Sequence, residues 1–130
     1  MNQQQIEEKI EEIRAELEKN PGDPDLLNEL GVGYHLLGEY EAAINHFRKA
    51  LGEAPGEARI HFNLANSYFE AEQVEKAVNS YLDALDRDPD HVPALTNLAD
   101  IYELAGEEER SIELFEHAAK LKPEDPLVQF

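Results

Sequence analysis

A repeat of 34 residues constrains the fold of this chain more than any other feature of its sequence. Four prolines, Pro21, Pro55, Pro89 and Pro123, mark the repeat, since each stands 34 residues after the one before. Between the prolines a Leu-Gly or Leu-Ala pair returns three times, and a tyrosine stands three residues after each pair. A constant period of this length predicts a linear array of one small unit, with every copy packed on its neighbours.

Each copy has the apolar spacing of two helices. In the first copy, Asp23 and Pro24 are typical of a helix start, because aspartate caps the first turn and proline lacks an N–H that would be unpaired there. Gly38 then provides a turn, and a second helix begins near Tyr40. Connections this short predict antiparallel neighbours. The residues expected to be buried are Leu27, Leu30, Gly31 and Tyr34 in the first helix and Ala43, Ile44, Phe47, Ala50 and Leu51 in the second.

This pattern resembles the tetratricopeptide repeat, whose signature is Leu or an aromatic residue, then Leu-Gly, Tyr, Ala, Phe or Tyr, Ala and Pro at fixed offsets. The resemblance covers residues 24–57, 58–91 and 92–125 as three complete repeats. Two positions depart mildly from the signature, because His61 replaces the first apolar residue and Glu72 replaces a turn glycine. The resemblance implies an all-α fold, a right-handed α-solenoid of antiparallel helix pairs that forms one domain.

Residues 1–23 have the pattern of a half repeat. Ile6, Ile10, Ile13 and Leu17 form one apolar stripe with helical spacing, and the last three match positions of the second helix when counted back by one period. A coiled-coil seam is the alternative, but four apolar positions are too few to sustain one. We therefore expect one helix that packs on the first complete repeat.

The last residues, 126–130, have the pattern of a further first helix. Residues 125–128, Asp-Pro-Leu-Val, resemble residues 23–26, Asp-Pro-Asp-Leu, three periods earlier. Two interpretations follow. Either the chain is a fragment of a longer repeat protein, or the apolar residues of this segment fold back or meet another chain. The second interpretation would permit self-association through residues 126–130.

The charge of the chain limits its partners. The formal net charge is −18 over 130 residues, and it is spread nearly evenly along the repeats, which is typical of a solvated acidic surface. Adaptation to high salt is the alternative explanation. Nucleic acid and anionic membrane surfaces are not expected as partners, because both bind cationic patches.

The compartment is predicted from what the N-terminus lacks. The first residues are acidic and contain no apolar stretch of the kind that a secretory signal needs. No apolar run in the chain reaches the roughly 18 residues of a membrane span. We therefore expect a cytoplasmic protein, although a signal removed before Met1 would leave no trace.

The sequence has no pattern typical of a catalytic, metal or cofactor site. The five histidines form no HExxH motif and no pair four residues apart, and the chain has no cysteine to join them. The Gly-Val-Gly stretch at 31–33 falls inside a helical pattern, which indicates helix packing rather than a phosphate-binding loop. We therefore expect no enzyme activity, no metal and no cofactor.

The resemblance implies that the first helices of successive repeats line a concave face at which peptides commonly bind. Phe62 and Phe69 are the strongest candidates, because they are large apolar side chains predicted on an open face. The alternative is that they contact adjacent helices. The candidate groove residues are Asn28, Val32, His35, Leu36, Arg59, Phe62, Asn63, Asn66, Phe69, Asn97, Asp100 and Glu103, and the row beside them also carries Glu70 and Leu104.

The residues of this chain exclude one binding mode that the family uses. Repeats that grip the acidic C-terminal tails of heat-shock chaperones use lysine, arginine and asparagine at set positions of the first helices. The matching positions here are Asn28, Val32, Asn63, Pro93 and Asn97, of which only Asn63 agrees. The cations are absent, and an acidic tail would be repelled by this acidic chain.

The resulting hypothesis is a protein-interaction scaffold. Its concave groove would bind an extended or helical segment of a partner, with apolar anchors near Val32, Leu36, Phe62 and Phe69. Basic residues of the partner would face Asp100 and Glu103. The alternative is a self-assembly module that stacks through the open ends of the solenoid. A third reading, the subunit of an enzyme, requires a catalytic domain elsewhere.

Overall fold

Seven α-helices follow one another along residues 1–121, the part of the chain that the computed structural model describes. Their bounds are α1 Gln3–Lys19, α2 Pro24–Leu36, α3 Tyr40–Glu53, α4 Ala58–Glu70, α5 Val74–Arg87, α6 Val92–Leu104 and α7 Glu108–Leu121. Within these residues no strand occurs, and the all-α repeat fold is confirmed. The expected helix start at 126–130 lies outside the described residues.

Side chains at the helix starts satisfy backbone N–H groups that have no partner inside the helix. Asn2 accepts from the backbone of Gln5, and the Gln5 side chain accepts from the backbone of Asn2 in return, which closes a capping box on α1. Asp23 caps α2 with Pro24 in the first turn, as the sequence predicted. The side chain of His91 accepts from Ala94 and caps α6 in the same way.

The three turns inside the helix pairs share one backbone conformation. Gly38 and Gly106 have φ of 78° and 80°, in the left-handed region that glycine adopts without steric cost. Glu72 occupies the same position in the middle pair and has φ of 64°. A side chain in this region clashes with its own backbone, so the middle turn is strained relative to the other two.

Small residues bring the helices of each pair close together. Ala43, Ala65, Ala77 and Ala99 are fully buried, and so are the alanines at the later positions of the second helices. Gly31 packs against the ring of Phe47, which is itself buried. The main core is therefore a layer of alanines and larger apolar side chains that runs from α1 to α6, and a smaller cluster around Leu95 and Ala118 lies between α6 and α7.

The helices form two layers. Each helix packs on its neighbours along the chain, and α2 also touches α4 directly. Side-chain bonds join the first helices of successive pairs, since Asn63 on α4 donates to Asn28 on α2 at 3.0 Å and Asn97 on α6 donates to Asn66 on α4 at 3.1 Å. The helices α2, α4 and α6 therefore lie side by side, and we call them the A helices.

Candidate functional site

An open groove runs across the three A helices. Its volume is about 340 Å³, and Tyr81 of α5 reaches it from the second layer. We call it the central groove, and its lining residues are His35, Asn66, Phe69, Glu70, Tyr81, Asn97, Asp100, Ile101 and Leu104.

A small hydrogen-bond network forms the floor of the central groove. Tyr81 is 2 % exposed, and its hydroxyl donates to the side-chain oxygen of Asn66. The same oxygen accepts from the side-chain nitrogen of Asn97 at 3.1 Å. These bonds join α4, α5 and α6, so the floor has a fixed geometry before any ligand arrives.

Two carboxylates make the central groove negative. Glu70 on α4 and Asp100 on α6 are both exposed, and within residues 1–121 neither takes part in an ion pair. Burial raises the pKa of the Tyr81 hydroxyl, and the negative charges of Glu70 and Asp100 raise it further against the opposing bond from Asn97. The field of both carboxylates therefore reaches the groove floor.

His35 closes one end of the central groove in its neutral form. Its Nδ1 lies 2.8 Å from the hydroxyl oxygen of Ser67, a side chain that is fully buried on α4. Burial lowers the pKa of His35, and the nearby charge of Glu70 opposes this shift only in part. Because the imidazole is uncharged at neutral pH, His35 provides no positive charge to pair with Glu70 or Asp100.

Five of the predicted candidates line the central groove, namely His35, Asn66, Phe69, Asn97 and Asp100. Glu70 and Leu104 also line it, from the row beside the candidates. The sequence reasoning missed Ile101 and Tyr81. The sequence does contain an indication for Tyr81, because this position is phenylalanine in the first and third repeats. A buried tyrosine hydroxyl needs a polar partner, which predicts polar side chains close to it.

Phe62 does not line the central groove, which corrects its expected place beside Phe69. Its ring lies 5.0 Å from the His91 ring and 6.0 Å from the Tyr81 ring, measured between centroids. It is half-buried against the core. Phe62 therefore follows the alternative interpretation, contact with adjacent helices, because α5 and the start of α6 cover its side of α4.

Three further candidates belong to the packing between α2 and α4. Asn28 is only 6 % exposed, so the expectation of an open position is wrong, and its oxygen accepts from Asn63. Arg59 pairs with Asp25 of α2 and with Glu57. These polar contacts hold neighbouring A helices in register. Glu103 is exposed and lies outside the lining of the central groove.

Val32 and Leu36 line a different depression, between α1 and α2. Its volume is about 230 Å³, and its walls are almost entirely apolar. Leu36 is 58 % exposed there, and Gly33 lets α1 approach α2 closely at Ile10. We call it the N-terminal cleft, and its lining residues are Met1, Ile6, Lys9, Ile10, Ile13, Glu29, Val32, Gly33 and Leu36.

The described residues contain no candidate metal site and no candidate membrane span. No group of three or more histidine, aspartate or glutamate side chains there is arranged to hold a metal ion. Residues 1–121 also contain no helix with both the length and the apolar character needed to cross a bilayer.

Comparison with solved structures supports the fold. Two crystal structures of MamA superpose with TM-scores of 0.83 and 0.81 at 22% and 18% identity. The superpositions cover 91% and 96% of this chain and 69% and 68% of the MamA chains. PilF of Pseudomonas aeruginosa superposes with a TM-score of 0.86 at 25% identity, over 95% of this chain and 57% of PilF. Among curated proteins, none matches this sequence.

Comparison with protein families gives the assignment. One model described as a tetratricopeptide repeat matches residues 1–58 and 62–126, and a second of the same description matches residues 34–83. These matches span most of the chain. The chain therefore belongs to the tetratricopeptide repeat family, whose members generally serve as protein-interaction scaffolds and not as enzymes.

Proposed function

We propose that the central groove binds a segment of a partner protein through one basic side chain and a neighbouring apolar side chain. The observation that carries this proposal is the position of Glu70 and Asp100, two carboxylates on adjacent A helices that flank one groove containing Phe69. The partner segment is extended or helical.

The charges of the groove select a cation. Glu70 and Asp100 both line the groove and act on Tyr81 at its floor, and the imidazole of His35 is neutral at pH 7. A lysine or arginine of the partner would add the positive charge that the groove lacks. Opposite charge at such a site mainly speeds the encounter and fixes the orientation of the partner.

The apolar side chains supply the remaining contact area. Phe69 is half-buried, with one part on the core and the rest open to the groove, and Leu104 is exposed at the opposite wall. The methylene groups of a lysine or arginine pack well on such surfaces while the charged end stays at a carboxylate. An adjacent apolar residue of the partner would bury Phe69 further.

The two asparagines of the floor offer groups for a peptide backbone. The oxygen of Asn66 already accepts two hydrogen bonds, so its NH₂ group is the part that can donate to a carbonyl. Asn97 uses its NH₂ group in this network, which leaves its oxygen to accept from an N–H. One donor and one acceptor at neighbouring positions suit the polar pattern of a peptide chain.

The test is a peptide-display selection against the full chain, followed by affinity measurement with variants of the groove. We expect enriched peptides with lysine or arginine beside an apolar residue. Glu70→Gln combined with Asp100→Asn should weaken binding at least about tenfold, since charge-assisted bonds contribute roughly 1.5 to 3 kcal/mol. Phe69→Ala should weaken it to a similar degree, and added salt should slow association.

Matched controls lie on the same helices. Phe62→Ala removes a phenylalanine from α4 outside the groove, and Glu103→Gln removes a carboxylate from α6 outside the groove. Both should leave the affinity within about twofold. Peptides that bind the Phe69→Ala variant and the Glu70→Gln, Asp100→Asn double variant as tightly as the parent would contradict the proposal.

A further inference from the structure

The packing step between α4 and α6 carries two acidic positions that the earlier step between α2 and α4 lacks. Glu70 and Asp100 line the central groove from these two helices. One period earlier, their positions are occupied by Leu36 and Asn66, neither of which is charged. Of the two steps that the described A helices form, only the central groove therefore has a carboxylate at both positions.

The central groove offers hydrogen-bond acceptors from two helices. Glu70 and Asp100 are exposed, and within residues 1–121 neither takes part in an ion pair. Asn97 donates its NH₂ group to Asn66 and Tyr81, so its oxygen is a third acceptor. A ligand that uses these acceptors together must donate N–H groups in more than one direction, because the two carboxylates belong to different helices.

An aromatic ring lies beside these acceptors. Phe69 precedes Glu70 on α4, lines the groove and is half-buried, so one part of its ring stays open to a ligand. The face of an aromatic ring attracts cations, and a guanidinium group, which is flat, stacks on it. The N–H groups of a stacked guanidinium point outward in its own plane, toward acceptors around the edge of the ring.

We propose that the central groove selects arginine over lysine, with the guanidinium stacked on Phe69 and its N–H groups donated to both Glu70 and Asp100. This inference rests on the proposed function of the same groove, which requires only a basic side chain beside an apolar one. It narrows the partner to a segment in which the basic residue is an arginine.

The two cations differ in the number and direction of their donors. Arginine has five N–H groups in a rigid planar fork, so one guanidinium can donate to two carboxylates at once. Lysine has three donors on one compact nitrogen, which is strongly hydrated. An ammonium group therefore loses more hydration than a guanidinium when it enters the groove, and it cannot stack flat on Phe69.

The probes for this inference are four short peptides, capped at both ends, that differ in one side chain. The reference probe is Gly-Arg-Leu-Gly, and the other three carry lysine, symmetrically dimethylated arginine or citrulline in place of the arginine. Dimethylation keeps the positive charge but removes one N–H group from each end of the fork. Citrulline keeps the shape of arginine without its charge. The comparisons therefore separate the effect of charge from that of donor geometry.

Binding is followed by NMR titration of the isotope-labelled full chain, through the side-chain amide signals of Asn66 and Asn97 and the backbone amides of α4 and α6. We expect the arginine peptide to bind about tenfold more tightly than the lysine peptide, since arginine makes at least one more charge-assisted hydrogen bond. The dimethylated peptide should bind no more tightly than the lysine peptide. The citrulline peptide should bind more weakly than both.

Single variants of the groove test which groups set the preference. Phe69→Leu keeps an apolar contact but removes the aromatic face, while Glu70→Gln and Asp100→Asn each leave one carboxylate. All three should lower the ratio of arginine to lysine affinity, because lysine needs only one carboxylate. Phe62→Leu and Glu103→Gln, the matched changes on α4 and α6 outside the groove, should leave this ratio unchanged. Circular dichroism verifies that each variant is folded.

The outcomes distinguish this inference from the proposed function. Equal affinities of the arginine and lysine peptides, or a ratio that none of the three groove variants lowers, would overturn the selection of arginine and leave the proposed cation site standing. If neither basic peptide shifted the signals of the groove, the proposed function would fail as well.

Discussion

The Nδ1 atom of His35 lies 2.8 Å from the hydroxyl oxygen of Ser67 and joins α2 to the fully buried side of α4. The contact links neighbouring A helices at the end of the central groove. Burial of the imidazole lowers its pKa against the opposing charge of Glu70, so the stability of the fold depends on pH through His35.

Acidification should destabilise the protein through His35. Because its pKa is lowered in the folded state, the unfolded chain binds a proton more readily, and the free energy of unfolding falls as pH drops below about 6.5. The loss is complete once the pH is below the folded pKa. We would measure the free energy of unfolding in urea at several pH values between neutral pH and about pH 5. It should depend less steeply on pH for His35→Gln than for the parent. A titration of the His35 ring by NMR at or above the ordinary histidine pKa would contradict this prediction.

Alanine at position 31 should weaken the first helix pair. A Cβ atom on Gly31 would lie 2.5 Å from a ring carbon of Phe47, which is buried and must shift. The second and third repeats carry alanine at this position, so a rearranged packing exists and the cost of Gly31→Ala should stay near 1 kcal/mol. Urea unfolding measures it.

The control for this prediction is Gly52→Ala. Gly52 is also helical, but a Cβ there meets nothing within 4 Å, so that variant should be neutral or slightly stabilised. Combining Gly31→Ala with Phe47→Leu should cost less than the sum of the single changes, because the smaller side chain relieves the contact. Additive costs would show that the ring and position 31 are not coupled.

Glycine at position 72 should stabilise the middle helix pair. Glu72 has φ of 64°, whereas the equivalent turns use Gly38 and Gly106. Relief of the left-handed strain contributes roughly 1 to 2 kcal/mol, and the added freedom of glycine in the unfolded chain offsets about 0.5 to 1 kcal/mol of it. Glu72→Gly should therefore raise the urea midpoint with an unchanged slope. Gly38→Ala is the reciprocal control and should lower the midpoint; a lower midpoint for Glu72→Gly would contradict the assignment of strain.

Removing the Tyr81 hydroxyl should reduce the loss of stability at alkaline pH. The pKa of Tyr81 is raised by burial and by Glu70 and Asp100, so the folded protein keeps the proton above pH 10 while the unfolded chain releases it. Stability from this group is present below about pH 10 and is lost as pH rises toward the folded pKa. Tyr81→Phe should show a smaller alkaline decline, and tyrosinate absorbance should lose its latest-titrating component.

The same variant tests the groove floor at neutral pH. Asn66 keeps its bond from Asn97 in Tyr81→Phe, so the cost should be about 0.5 to 1.5 kcal/mol. If the tyrosinate absorbance of Tyr81→Phe titrated as in the parent, Tyr81 would not be the tyrosine with the raised pKa.

The helix pairs and their buried faces could be predicted from sequence alone. The 34-residue period and the helical spacing of Leu30, Tyr34 and Phe47 are local features, and an α-helix of fixed pitch turns such spacing into a face. The start of α2 at Pro24 followed from the Asp-Pro pair for the same reason, since a helix cap depends only on residues close in sequence.

Which exposed positions form a site depends on how the helices pack on one another, and this could not be predicted from sequence. Phe62 and Phe69 are two turns apart on α4 and share a face, yet Phe69 opens to the central groove while α5 and His91 cover Phe62. Tyr81 joins the groove from another layer, and Val32 belongs to a separate cleft. Helical periodicity fixes the direction of a side chain about its own axis, but the neighbouring helices decide what covers it.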